Sequence, residues 1–107
     1  MTKLLKLTMA AVLLLGVAST TASADARKGQ KIFIKKFKSK CGFNGAKFAA
    51  KHSQNEWAAI NEDGNFKKEM MTICPDIKEA DIKDSWVPHL YDFSYEYAND
   101  SGNVPSC

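Results

Sequence analysis

Three cysteines (Cys41, Cys74 and Cys107), two histidines (His52 and His89) and the adjacent pair Met70-Met71 are the side chains of this sequence best equipped for chemistry. Thiols pair as disulfides or bind metals as thiolates, and imidazoles and thioethers are ligands for copper, zinc and haem iron. Spacing narrows this list. No two of these residues stand at the interval of a recognised metal site, so no metal is assigned. No nucleophile-base-acid pattern, glycine-rich phosphate loop or carboxylate pair with a plausible base stands out either. Hydrolytic and transferase chemistry is therefore unsupported, and the chain reads as a non-enzyme.

The cysteines take their meaning from the compartment. Lys3 and Lys6 precede an apolar run from Leu7 to Ala18, and Ala22-Ser23-Ala24 supplies small residues at a cleavage point. Residues 1–24 are thus expected to be a signal peptide and residues 25–107 one exported, periplasmic domain; cleavage after Ala26 would change nothing that follows. The apolar run is short and soon interrupted by Ser and Thr, which argues against stable membrane insertion. An oxidising compartment and a small core predict one disulfide, worth about 2–4 kcal/mol, among Cys41, Cys74 and Cys107. The irregular tail from Asn99 to Ser106 gives Cys107 little reason to be ordered unless it is tied down. Cys107 is accordingly expected as one partner, with Cys41 or Cys74 as the other.

The formal charge of +3 includes Lys3 and Lys6, so a chain without its leader is nearly balanced and carries no charge argument for nucleic acid. Its distribution is uneven. Residues 25–55 hold nine Lys or Arg against Asp25 alone, whereas residues 56–107 hold four lysines against eleven acids. Such a polarised chain can orient a charged partner. The plainer reading is that Lys28, Lys31, Lys35, Lys36 and Lys38 are the solvated side of a helix.

Positioning these residues falls to helices. Phe33, Ile34 and Phe37 lie at helical spacing among lysines and predict an amphipathic helix over residues 28–38, with Gly29 in its first turn allowing close approach of another backbone. Residues 41–45 read as a turn, and 46–51 as a short helix. Ser53 and Glu56 form a capping box that starts a helix at Gln54, with Trp57 and Ile60 inward and residues 62–65 ending it. A further helix runs from Phe66 to about Thr72. Ile82, Trp86, Leu90, Phe93 and Tyr97 mark the last helix, either capped by Ser85 with Pro88 in the first turn, or begun near Glu79 and kinked at Pro88. No strand signal is present, and the fold class is all-α. Phe33, Phe37, Trp57, Trp86, Leu90, Phe93 and Tyr97 are expected to share the core.

The segment Lys28-Gly29-Gln30-Lys31-Ile32-Phe33 through Phe37 to Cys41-Gly42-Phe43-Asn44-Gly45, with Met70-Met71 and the final amphipathic helix, resembles the small class I cytochromes c. The likeness spans nearly the whole of residues 25–107. It implies a small helical domain in which the N- and C-terminal helices cross, at Gly29 and Phe33 on the first of them, and a role in electron transfer. It also implies a redox protein partner docking on the Lys-rich face of residues 28–40. The family continues into Cys-x-x-Cys-His about seven or eight residues after its glycine, and this chain does not. One register places Phe37 and Lys40 at the cysteines and Cys41 at the histidine; a one-residue gap places Cys41 at the second cysteine and Gly42 at the histidine. Standard covalent haem attachment is therefore expected to be absent. If haem were bound otherwise, the resemblance and the ligand chemistry nominate Met71, with His52, His89 or Cys41. Without haem, Phe43, Phe48, Met70, Met71 and Ile73 are expected to fill its volume. The alternative function is a haem-free, disulfide-stapled interaction module.

Overall fold

The computed structural model describes the backbone of residues 22–105 and the side chains from Asp25 to Pro105; the expected leader up to Thr21 and Cys107 lie outside the described residues. Helix α1 spans Ala22–Lys36, beginning earlier than the apolar pattern alone predicts. Asp25 in its first turn and Lys35 and Lys36 in its last complement the helix dipole. After Phe37 the chain makes a short α2, Lys38–Cys41, closed by Gly42 at φ 77°, whose N–H donates to the Lys38 carbonyl. Asn44 caps α3, Gly45–Ala49, by accepting from the Lys47 N–H at 3.0 Å.

The capping box at Ser53 and Glu56 is formed, and it starts α4, Gln54–Glu62, at the residue the sequence indicated. Helix α5 is Phe66–Ile73. Two single 3-10 turns, Glu79–Asp81 and Asp84–Trp86, then lead into α6, Val87–Glu96. No strand occurs among the described residues.

Helices α1 and α6 make the most extensive contact between any two elements. Gly29 is what lets them meet: a methyl group there would overlap the His89 carbonyl and stand 2.8 Å from Phe93 Cβ. Gly45 receives the far edge of the same ring, where an added Cβ would lie 2.7 Å from Phe93 Cζ. Phe33 extends the crossing, its ring centroid 6.3 Å from that of Phe93 and 5.1 Å from that of Phe48. Phe33, Phe37, Phe48, Trp57, Met70 and Phe93 are wholly buried, and the Trp57 indole N–H donates to the Ala49 carbonyl at 2.8 Å. A buried indole left without that acceptor would incur a desolvation cost.

Two expectations for the last helix need correction. Ser85 makes no side-chain cap, because Asp84–Trp86 is a 3-10 turn and Trp86 itself is the N-cap; Pro88 does fall in the first turn. Ile82 is buried in extended backbone ahead of the helix, although it fits the helical period. Trp86 and Tyr97 are half-buried rather than central. Trp86 meets Phe37 edge-on at 5.9 Å and is flanked by the ammonium groups of Lys36 and Lys83, as a ring at the rim of a core would be.

Candidate functional site

The disulfide joins Cys41, the last residue of α2, to Cys74, the residue after α5, with Cα atoms 4.7 Å apart. This corrects the expectation that Cys107 is a bridge partner, since both candidate partners are taken by each other. Cys107 itself lies outside the described residues, and the tail from Asn99 to Asn103 is held by hydrogen bonds. The Asn99 N–H donates to the His52 carbonyl at 3.1 Å, Asp100 accepts from the Gln54 N–H at 2.9 Å, and the Asn103 side chain donates to the Glu96 carbonyl at 3.3 Å.

The candidate ligands sit in separate settings. His52 Nε2 is 2.7 Å from a Glu69 oxygen on α5, Nδ1 is 3.6 Å from Glu56 on α4, and the ring stands edge-on to Trp57 at 4.8 Å. Donation from the Ser53 backbone N–H is the main reason the Glu56 carboxyl lies below its usual range. His89 belongs to the helix crossing, with Nδ1 3.7 Å from Asp25 on α1. Met71 is half-buried against the core, while Met70 is wholly buried within it. Among the described residues no three His, Cys, Asp or Glu side chains converge as a metal site.

One acidic cluster lies along the α1–α6 contact. Burial first, then the charges of Asp25 and Glu96, push the Asp92 carboxyl above its usual range, against the opposing pull of His89. Nearby, His89 Nδ1 and Glu96 Oε2 are buried without a hydrogen-bond partner.

A haem group does not fit these residues. Cys41 has no free thiol for a thioether or an iron, and His52 Nε2 is engaged by Glu69. The space between α1, α4 and α6 is occupied by packed side chains: of the expected fillers, Phe48 and Met70 are fully buried, and Phe43, Met71 and Ile73 pack partly buried around them. A hollow of about 700 Å³ does exist between α3 and the tail, but Asn44, Lys47, Tyr97 and Val104 are among its lining residues and none of the four candidate ligands is.

One apolar side chain of α1 stands at the surface. Ile34, counted with Phe33 and Phe37 as apolar periodicity, is 40% exposed. It borders a shallow hollow of about 400 Å³ shared with Lys38, Ser39, Gly42 and Phe43, and Lys51 lies over the Phe43 ring at 5.3 Å. Its helical phase, one residue beyond buried Phe33, is the signal that could have placed Ile34 outside. Comparison with protein-family models, curated protein sequences and solved structures finds no match to this chain.

Proposed function

We propose that this chain is an exported, periplasmic, haem-free interaction module with a cytochrome c-like arrangement of helices, acting beside a redox protein through its surface. The observation that carries this reading is the filled interior, in which Phe48, Trp57, Phe66 and Met70 interlock with the side chains of the α1–α6 crossing. The glycine at that crossing supports the cytochrome c-like arrangement, since Gly29 and Phe33 occupy the contact that the resemblance implies for them. The Cys41–Cys74 bridge supports export, because disulfides persist in oxidising compartments. The lysines of residues 28–40 offer the partner-facing side, and no reaction is assigned to the chain.

The test is the absorption spectrum of protein purified from its native compartment, with intact mass and a pyridine haemochrome assay on the same sample. A spectrum of tryptophan and tyrosine alone, at the mass of the unmodified chain, is expected. A Soret band with α and β bands would overturn the haem-free reading.

A further inference from the structure

We propose that the Ile34–Phe43 depression is a docking site for an acidic protein segment that inserts one apolar side chain, a claim that rests on reading the chain as an interaction module. Three features converge there. Phe33 on α1 and Phe37 just after it are completely buried, yet Ile34 is open to solvent beside half-buried Phe43, giving a small apolar floor in the hollow of about 400 Å³. Lys38 lines the hollow, and Arg27, Lys31 and Lys35, all exposed at i, i+4 steps, carry positive charge along the same helix as Ile34. Lys51 adds a second cation next to it, its ammonium 5.3 Å from the centroid of the Phe43 ring.

These cations are uncompensated. Among the described residues the only ion pair made by a lysine or arginine between residues 27 and 51 is Lys40 with Asp81, at 2.7 Å. A row of unpaired positive charge favours an anionic partner and orients its approach, while a central apolar contact supplies the selectivity that charge alone does not. A protein segment suits this geometry better than a lipid surface. A helix lying on a membrane needs a broad apolar face, and α1 commits its apolar face to the core, leaving Ile34 as the one exposed large apolar side chain among its described residues.

The test is amide NMR of the exported chain titrated with a synthetic peptide of Asp and Glu around one central Leu. A second peptide with Ser in place of Leu and vesicles of phosphatidylglycerol serve as controls. Shifts centred on Ile34, Ser39, Gly42 and Phe43 are expected, with binding about tenfold weaker for the Ser peptide and for Ile34→Ser. Ile34 is exposed, so that variant should keep the native spectrum; Lys38→Glu with Lys51→Glu should also weaken binding and flatten its salt dependence. Equal binding of both peptides, shifts scattered over all the lysines, or binding to vesicles in place of peptide would overturn the proposal. Peptide shifts centred elsewhere sink the docking site alone, whereas a Soret band in the sample sinks the reading beneath it.

Discussion

The α1–α6 crossing and the flank from Cys74 to Trp86 hold their shape by different means. At the crossing two helices meet through Gly29, and the rings of Phe33 and Phe93 fill the angle between them. The flank has only two short 3-10 turns, with Ile77 and Ile82 as buried anchors. Its other ties include the bridge from Cys74 to Cys41, the edge-on contact of Trp86 with Phe37, and the surface pairs Lys40–Asp81 and Lys67–Asp84. Exposed pairs of that kind contribute little, at most about 1 kcal/mol. Where backbone can approach backbone, packing suffices; where the chain runs irregularly, a covalent closure stands in for missing helix contacts.

The comparison breaks most visibly at Phe93. Truncating this wholly buried ring to Ala removes contacts with Phe33, Tyr97 and the floor at Gly45, and should cost about 3–5 kcal/mol. Urea unfolding should then show a chain with most of its stability gone. A loss no larger than that of an exposed residue would show that the crossing does not organise the fold.

Replacing Cys41 and Cys74 together by Ser tests the other region. The bridge spans a sequence separation of 33, and its removal should cost about 2–4 kcal/mol, mostly through the freer unfolded chain. Hydrogen exchange should distinguish the two regions more sharply than total stability does. Amides of residues 74–86 should lose protection first in the double Ser variant while those of α1 and α6 retain theirs. Uniform loss of protection would mean that the flank and the crossing are one cooperative unit.

The legible parts of the fold were those fixed by local chemistry. Ser53 and Glu56 announce the start of α4 because a capping box is satisfied within four residues, and Gly29 announces a crossing because glycine within a helix marks the close approach of another backbone, although it stands well inside α1 and not in the first turn expected for it. The bridge was not legible, since the pairing of Cys41 with Cys74 depends on how α2 and α5 meet across the core. The same limit explains Ile82 and Trp86. Both fit a helical period, but the turn at Asp84–Trp86 and Pro88 at the helix start decide that the helix begins after them. Ile34 shows what an apolar count leaves open: it counts with Phe33 and Phe37 toward helical spacing without being among the expected core residues, and it lies about 100° from Phe33 around the helix, exposed.

The smallest expected effect sharpens the picture of the crossing, because its rim is electrostatically imperfect. Asp92 on α6 is partly buried near Asp25 of α1 and Glu96 one turn further along α6, with His89 the cation-capable group beside it. Burial and the two acids raise its folded pKa above the ordinary aspartate value of 3.8, so the folded state holds this proton more tightly than the unfolded chain does. The resulting stabilisation is fully present below pH 3.8 and is lost as pH rises through the folded value, which leaves a penalty at neutral pH. Asp92→Asn removes the penalty and should stabilise the protein slightly at neutral pH, with the gain vanishing at low pH; solvent screening at the rim keeps it small. Thermal unfolding of the two chains across the acid range reads this directly. A variant less stable at neutral pH would show that Asp92 instead donates its charge to a favourable contact with His89, and that the crossing is supported at its rim as well as at its centre.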